Sequence, residues 1–290
     1  MIQYLPYHQI DKIKYDYCIS HSKESRVYAY SWYLDCTAKS WDLLIEGDYK
    51  TVMPLPRKVK YGIQYIFTPP WIQQLGVFSI EDVPQKKIIQ FLKKIPNKYF
   101  WIDYQLNSGN KLDKLSLVSR KNYILSLYRP LSEIQKGFNI NRKRILKRIG
   151  NNLFIDKEGS IDIFIEGYIN QDKPYDIEPE YIENLRCLYN LKNGHIQVWN
   201  VFDKESIVAG LIWLKDRQRI TYLVPMALER AKKLHASTFL INELIRDFQE
   251  TDIILDFEGS MVKGVEKFYQ SFGSSPEHYT YYKKRFFSHV

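Results

Sequence analysis

The sequence predicts a mixed α/β (α+β) protein of two domains, and three observations lead to this prediction. The chain has 290 residues, which is long for one compact core. Hydrophobic residues make up 45% of it, the usual share for a globular protein. Short apolar runs alternate with helical patterns along the chain, and this alternation favours a mixed fold over a helical bundle or a β-sandwich.

Helix and strand signals alternate through the first half of the chain. Hydrophobic periodicity predicts helices over residues 25–34 and 83–94. Runs rich in β-branched and aromatic residues predict strands at residues 41–46, 51–56, 62–68, 99–105 and 123–128. The double proline Pro69-Pro70 marks a break after the third of these strands.

A domain boundary is predicted just before a helical stretch at residues 132–148, which Ser132 can cap. The division gives an N-terminal domain of residues 1–131 and a C-terminal domain of residues 132–290. In the second domain the patterns predict a strand pair around residues 153–168, helices at 178–191 and 236–248, and strands at 196–202, 206–215 and 219–223.

The C-terminal segment is the most informative part of the chain. A buried strand at residues 253–257 is followed by the polar turn Glu258-Gly259-Ser260, a helix that stops at Gly273, and a tyrosine-rich strand. Asp256 and Glu258 lie two residues apart, so a continuous strand would point both side chains the same way. A carboxylate there can accept the proton of an attacking amine. Alternatively, Asp256 pairs with a neighbouring Lys or Arg, and Glu258 caps the next helix.

Several motifs resemble those of the Fem-type and GNAT-like acyltransferases. DFEGS at residues 256–260 and KGVEKFYQSFG at 263–273 are similar to their C-terminal signature, in which a strand ends in Asp and a helix ends in Phe-Gly. Three further segments resemble the N-terminal half of this group: SWYLD at 31–35, GDYKTVMPLP at 47–56 and PPWIQQLGVFS at 69–79. The resemblance implies two tandem GNAT-like domains, each a mixed, mostly antiparallel sheet flanked by helices.

The resemblance also implies an activity, which is transfer of an acyl or aminoacyl group to a primary amine on a small molecule or a peptide. The donor would be acyl-CoA or aminoacyl-tRNA, with possible tRNA binding, and the expected setting is the cytoplasm of a bacterium. The catalytic candidates are Asp256, Glu258 and Tyr222, although core packing is the alternative for Tyr222. Backbone N–H groups near residues 224–227 would stabilise an oxyanion, since Pro225 is expected to break the pairing of its strand.

A basic loop corresponds to the phosphate-binding loop of GNAT enzymes. The residues expected to hold donor phosphate are Arg230, Lys232, Lys233, His235 and Ser237. Lys233 and His235 stand where that family has small residues, so close backbone approach is in question. The alternative is a solvated basic loop that caps a helix.

Two further groups of residues are candidates for binding. The resemblance places Trp71, Gln73, Gln74, Asn139, Asn141 and Arg142 at a substrate cleft, although core packing is the alternative for Trp71. A basic run on the predicted helix could follow a phosphate backbone and consists of Lys136, Arg142, Lys143, Arg144, Lys147 and Arg148. The formal net charge of +9 is compatible with an anionic partner, but a solvated helix surface is the alternative.

Other classes are less compatible with the sequence. No apolar run approaches the roughly 18 residues of a membrane-spanning helix, and no signal peptide is evident. The three scattered cysteines and the isolated histidines do not have the spacing of metal ligands. So few cysteines, in an odd number, also favour a reducing cytoplasm. A second function remains open, namely a catalytically idle GNAT-like module that binds RNA or an anionic surface.

Overall fold

Strands and helices alternate along the chain in the computed structural model, which describes residues 1–38, 40–112, 118–149, 152–172, 176–191, 193–259 and 262–285. The strands are β1 (Ile2–Leu5), β2 (Trp41–Glu46), β3 (Thr51–Lys60), β4 (Ile63–Phe67), β5 (Phe78–Ser79), β6 (Trp101–Gln105), β7 (Val118–Ser126), β8 (Leu153–Asp156), β9 (Ile196–Asp203), β10 (Ser206–Lys215), β11 (Arg219–Ala227), β12 (Ile254–Asp256) and β13 (Ser275–Arg285). The helices are α1 (Lys12–His21), α2 (Ser31–Thr37), α3 (Gln85–Lys94), α4 (Leu131–Lys136), α5 (Ile140–Arg148), α6 (Ile161–Asn170), α7 (Pro179–Asn190), α8 (Glu229–Leu234), α9 (Ala236–Phe248) and α10 (Lys263–Gln270). The predicted mixed α/β class is confirmed.

The chain forms two compact units. The first comprises Met1–Lys121 together with Glu277–Val290, and the second comprises Asn122–Pro276. The predicted boundary between residues 131 and 132 stays a prediction about domain organisation.

The sheet of the first unit follows the strand order β1-β2-β3-β4-β6-β13, and β5 pairs with β3. All these pairs are antiparallel except β4 with β6. One face of the sheet is buried by side chains such as Ile66, Ile102 and Tyr104, each at most 2% exposed. Helix α1, which the sequence patterns did not predict, begins where Asp11 accepts hydrogen bonds from the N–H groups of Ile13 and Lys14.

Cys18 is a buried free thiol on α1 in the first unit. Burial raises its pKa to about 12, so the reactive thiolate is scarce at neutral pH. We expect Cys18 to resist iodoacetamide at pH 8 in the native protein and to react after unfolding in guanidinium. Peptide mapping by mass spectrometry measures this difference. Rapid native labelling of Cys18 would contradict it.

The sheet of the second unit follows the strand order β7-β12-β11-β10-β9-β8. Only β11 and β12 are parallel neighbours, and the other pairs are antiparallel. Helix α9 packs against β10 and β11 through buried leucines and isoleucines, among them Leu240, Ile241, Leu244 and Ile245. Each unit therefore has the predicted mixed, mostly antiparallel sheet with flanking helices.

Two local predictions for the second unit are wrong. The segment predicted as a strand pair contains β8 and then helix α6, whose apolar residues at 161, 164, 165 and 168 follow a helical spacing. The single helix predicted over 132–148 is two helices, because the chain turns after Lys136 and Asn139 caps α5 by accepting from the N–H of Arg142 (2.8 Å).

Candidate active site

The second unit has an irregular point in the middle of its sheet. Strands β11 and β12 pair in parallel only from Arg219↔Ile254 to Thr221↔Asp256, where β12 ends. Strand β11 continues for six residues to Ala227, paired on its other edge with β10. The carboxyl end of β11 therefore extends past its parallel neighbour. We call this end of the β11–β12 pairing the opening, and it is the kind of position at which ligands bind in open α/β sheets.

A β-bulge lies where this opening begins. Ile212 pairs with Val224 and Trp213 pairs with Tyr222, so the register passes over Leu223. A bulge leaves one residue unmatched in the ladder and re-aims its backbone. The predicted break at Pro225 is wrong, since Pro225 keeps its place opposite Leu211. A proline fits in a strand at a position that does not need its N–H.

The end of β11 is also held from a loop. The N–H of Ala227 donates to Oε1 of Gln171, which follows helix α6 (3.1 Å). Two of the four residues predicted to stabilise an oxyanion cannot do so with a free N–H. Pro225 has no N–H, and the N–H of Ala227 donates to Gln171. Leu223, which the sequence patterns did not single out, becomes the stronger candidate.

Asp256 forms a buried ion pair with Arg219. The Nη1 atom of Arg219 lies 2.8 Å from Oδ2 of Asp256, and the two side chains are 7% and 2% exposed. The other oxygen, Oδ1, accepts from the N–H of Glu258 (2.8 Å). Both oxygens of Asp256 therefore have partners within the protein, which favours the alternative that this residue pairs with a neighbouring cation.

Glu258 lies beyond the strand rather than on it. Its φ angle is +60°, a left-handed conformation that is uncommon outside glycine, and Gly259 follows with φ +78°. The expectation that Asp256 and Glu258 point the same way from one strand is wrong, because β12 ends at Asp256. The half-buried carboxylate of Glu258 is close enough to Tyr269 to add to the rise in the tyrosine's pKa, which is caused mainly by burial.

Tyr222 lies in the hydrophobic core of the second unit. It is 3% exposed, and its ring centroid is 6.1 Å from that of Tyr269 in an edge-on contact. Burial raises its pKa well above the usual value. Its catalytic role stays a prediction, and its surroundings favour the core-packing alternative.

The predicted donor loop folds as helix α8 followed directly by α9. His235 joins the two helices in a left-handed conformation, with φ +55° and ψ +32°. Arg230 forms an ion pair with the buried carboxylate of Asp203, and Lys232 lies 3.1 Å from Glu229. Lys233 is exposed, and Ser237 lies in the first turn of α9. The basic side chains are therefore near a helix N-terminus, the predicted location for phosphate, while Arg230 already has an acidic partner.

The left-handed conformation of His235 leads to a prediction. Glycine adopts it at no steric cost, so we expect His235→Gly to be folded and as stable as the parent or more stable by up to about 1 kcal/mol. We expect His235→Val to lose at least about 1 kcal/mol, because a β-branched residue is disfavoured there. Thermal unfolding of both variants tests this. Equal stability of the two would contradict it.

Arg142 is buried, unlike the other members of the basic run. Its Nε and Nη2 atoms donate to Oγ of Ser271 (3.0 and 2.9 Å), and its Nη1 donates to Oγ1 of Thr238. Its guanidinium carbon lies 4.6 Å from the ring centroids of both Phe268 and Phe272. Burial lowers its pKa to about 10. Arg142 thus connects α5, α9 and α10, a role that a helix of surface charges did not suggest.

The remaining predicted cleft residues lie in different units. Asn139 caps α5 and Asn141 is exposed, both in the second unit. In the first unit, Trp71 has φ +63° and its carbonyl accepts from the hydroxyl of Tyr33 (2.5 Å). Gln74 donates to Oε1 of Gln73 (2.7 Å) and accepts from the N–H of Ser108 (2.9 Å). A shared substrate cleft stays a prediction.

Two cavities of the second unit are relevant to binding. One of about 780 Å³ is lined by basic and apolar residues of α4, α5 and α9, including Lys136, Lys143, Lys147, Arg246 and Phe239. The other, of about 490 Å³, lies beside the segment that holds the end of β11 and is lined by Ile169, Gln171, Asp176, Ile177, Pro179, Ile182 and Glu183. The first is rich in cations, of which Arg246 is paired with the lining residue Glu243, and the second combines two carboxylates with apolar side chains.

Neither a metal site nor a membrane span emerges from the described parts of the chain. No group of three or more His, Cys, Asp or Glu side chains there could hold a metal ion. Among the same residues, no helix has the length and apolar character needed to cross a bilayer.

Comparisons with known proteins agree with this geometry. Residues 143–268 match a family described as the acetyltransferase (GNAT) domain. No curated protein matches the chain significantly in sequence. Among solved structures, that of FemX is similar with a TM-score of 0.68 and 9% identity, covering 96% of both chains. A tandem GNAT protein from the clavulanic acid biosynthesis pathway has a TM-score of 0.56 and 8% identity, covering 100% of both chains. The L-PGS structure from Bacillus licheniformis has a TM-score of 0.51 and 11% identity, covering 86% of this chain and 85% of that one.

At such identities the structural similarities establish the fold alone. Together with the domain match, they confirm the resemblance to the Fem-type and GNAT-like acyltransferases, and they confirm two tandem GNAT-like folds.

Proposed function

Since the chain has the fold of the GNAT-like acyltransferases, we propose that it transfers an acyl or aminoacyl group from an activated donor to a primary amine. The observation that carries the proposal is the opening at the carboxyl end of β11, where pairing with β12 ends at Asp256 and the bulge at Leu223 begins. Acyl transfer needs a backbone N–H aimed at the developing oxyanion, and a bulge next to an opening can supply one.

The proton would go to Glu258. The acceptor ammonium first loses one proton to solvent. The neutral amine then attacks the carbonyl carbon of the donor, a C–N bond forms, and the bond to the donor's sulfur or oxygen breaks. The amine proton passes to the Glu258 carboxylate, and the thiolate or alkoxide that leaves is protonated from solvent. Glu258 fits this role better than Asp256, because Asp256 is tied to Arg219 and to the Glu258 N–H.

The acceptor amine would bind in the cavity lined by Gln171, Asp176 and Glu183. The carboxylate of Asp176 would attract an ammonium group, as would that of Glu183, which also lies 3.5 Å from Nε of Arg186, while Ile177 and Ile182 provide an apolar wall. Gln171 connects this cavity to the end of β11 through its hydrogen bond to Ala227. The acceptor would accordingly be an amine on an apolar stem.

The donor would bind through its phosphate groups at the first turn of α9. Ser237 lies in that turn and His235 is the residue before it, while Lys232 and Lys233 both lie in the last turn of α8. Acyl-CoA needs only this compact site. Aminoacyl-tRNA would in addition use the exposed basic residues of α5, namely Lys143, Arg144, Lys147 and Arg148.

Calorimetric titration with acetyl-CoA and with aminoacyl-tRNA, each at two salt concentrations, tests the donor. Micromolar binding of acetyl-CoA that is lost in Lys232→Ala/Lys233→Ala would identify an acyl-CoA transferase. An affinity for aminoacyl-tRNA that falls steeply as the salt concentration rises, with no binding of acetyl-CoA, would identify an aminoacyl-tRNA donor. Lys93→Ala/Lys94→Ala on α3 is the matched control and should change neither result.

A catalytically idle module that binds RNA or an anionic surface is the second candidate function. The cavity lined by Lys136, Lys143, Lys147 and Arg246 favours it, since these four cations outnumber the one carboxylate of its lining, Glu243. Tight binding of RNA or of anionic vesicles with no transfer from either donor would support this function and contradict the enzyme.

A further inference from the structure

One face of the first unit's sheet combines aromatic and cationic side chains. Side chains alternate between the two faces of a strand, and residues opposite each other in register share a face. Lys58 lies opposite Tyr65, Tyr65 opposite Trp101, and Trp101 opposite Arg285. These four residues form one row across β3, β4, β6 and β13, with a cation at each end and two aromatic rings between them.

Neighbouring positions extend this pattern. Phe67 lies opposite Asp103, Asp103 opposite Lys283, and Gln105 opposite Tyr281. At the other end, Lys60 lies opposite Ile63. We call this surface the aromatic face and define it by its rings and cations: Tyr65, Phe67, Trp101, Tyr281, Lys58, Lys60, Arg120, Lys283 and Arg285.

The rings of the aromatic face contact each other and the cations. Tyr65 and Trp101 have centroids 4.7 Å apart with an interplanar angle of 32°. The Nζ of Lys58 lies 5.2 Å from the Phe67 centroid, and Cζ of Arg120 lies 4.0 Å from that of Tyr281. Such contacts keep positive charge directly beside aromatic rings.

The aromatic face is accessible, whereas the opposite side of the same strands is core. Trp101 is 38% exposed, while Ile66, Ile102 and Tyr104 on the core side are at most 2% exposed. Lys60, Lys283 and Arg285 are also exposed. A contiguous cluster of rings on an open sheet surface indicates an interaction site, whereas single exposed rings do not.

We infer that the aromatic face binds single-stranded nucleic acid. Unpaired bases stack on exposed aromatic rings, and the phosphates between them need cations at the edges of the stack. The row Lys58–Tyr65–Trp101–Arg285 supplies two rings for stacking and, on either side of them, one cation for a phosphate. Asp103 is the one carboxylate in the paired registers of this face, and Lys283 lies 3.9 Å from it. The charge of the surface therefore complements a polyanion.

This inference is independent of the proposed acyl transfer. It rests on residues of the first unit, whereas donor, acceptor and Glu258 belong to the second. An oligonucleotide without an aminoacyl group tests it, so its failure would leave the proposed function intact.

The test is fluorescence anisotropy of the full chain with labelled 12-nucleotide single strands of RNA and of DNA. Tyr65→Ala/Trp101→Ala is expected to weaken binding by about 10- to 100-fold, since each stacked base contributes substantially. Lys58→Gln/Arg285→Gln is expected to weaken binding and to reduce its salt dependence. Tyr65→Phe/Trp101→Phe preserves the rings and should retain most of the affinity.

Matched controls separate stacking from general charge. Tyr17→Ala removes an exposed tyrosine of α1, and Lys93→Gln/Lys94→Gln removes two exposed cations of α3; neither should alter binding. Inorganic polyphosphate carries the charge without bases and should bind more weakly, with no response to Tyr65→Ala/Trp101→Ala.

Four results would overturn the inference. The first is that neither oligonucleotide binds, and the second is that Tyr65→Phe/Trp101→Phe and Tyr65→Ala/Trp101→Ala bind RNA with the same affinity. The third is that polyphosphate binds as tightly as RNA. The fourth is that the protein forms a concentration-dependent dimer that Trp101→Ala abolishes. Binding of phosphatidylglycerol vesicles without binding of oligonucleotides would assign the face to a membrane surface instead. Circular dichroism of the Ala and Phe variants checks that each of them is folded.

Discussion

Replacing Arg219 with leucine is expected to lower the free energy of unfolding of the second unit by about 3–5 kcal/mol. The change leaves the Asp256 carboxylate, which is 2% exposed, without its cation in the centre of the sheet. A buried unpaired charge is among the few single changes with so large an effect. Hydrogen exchange of the amides in β11 and β12, with chemical unfolding followed by circular dichroism, measures the loss.

A second substitution separates charge from packing. In Arg219→Leu/Asp256→Asn the charge is gone, while the amide oxygen can still accept from the Glu258 N–H. We expect this double variant to recover most of the lost stability. The matched control is Lys136→Leu, whose exposed pair with Glu133 should contribute less than about 1 kcal/mol. A loss for Arg219→Leu no larger than for Lys136→Leu would mean that the buried pair is not an important contribution.

The sequence predicted most of the elements that have one strong periodicity. Strand β2 and helix α9 have the predicted bounds, because a short apolar run with turns on both sides and a long amphipathic stretch are the least ambiguous patterns. The residues of helix α6 predict a strand instead, because Phe, Ile and Tyr are typical strand residues. The helical spacing of its four large buried side chains becomes evident only when a helix is assumed.

The candidate site was predicted by type of residue better than by role. Motif similarity identified Asp256, Glu258 and the loop near Arg230 as candidates. The ion pairs and hydrogen bonds of each side chain then determine which chemical role it can have. Arg219 is 37 residues from Asp256, and Asp203 is 27 residues from Arg230, so neither ion pair has a local signal. The bulge at Leu223 likewise depends on how β10 and β11 align, which a single strand does not specify.

Arg142 shows the same limit for a charged residue. Its neighbours on α5 are exposed, and a charge run on a helix usually indicates a solvated surface. Ser271, Thr238 and two phenylalanines receive its guanidinium only because α5, α9 and α10 meet there. A run of basic residues alone could not distinguish this buried position from the exposed ones.

Replacing Glu258 with glutamine is expected to reduce the turnover of acyl transfer by about 10²- to 10⁴-fold, since general base catalysis contributes on that order. The amide keeps the size of the side chain but cannot accept the amine proton. Release of free thiol from acetyl-CoA, or deacylation of aminoacyl-tRNA, is measured with a panel of primary amines that have apolar stems. The affinity for the donor, measured by calorimetry, should stay unchanged.

Two comparisons make the result specific to Glu258. Glu229→Gln changes an exposed carboxylate of α8, 3.1 Å from Lys232, and should leave turnover as it was. Asp256→Asn should affect stability more than turnover, because Asp256 is bonded to Arg219 and to the Glu258 N–H. If Asp256→Asn and Glu258→Gln together left transfer rates unchanged, neither carboxylate would be the base. A loss of turnover in Asp256→Asn equal to that in Glu258→Gln, with both variants folded, would instead mean that the charge of the Asp256 carboxylate is needed for transfer, since the asparagine oxygen can still accept from the Glu258 N–H.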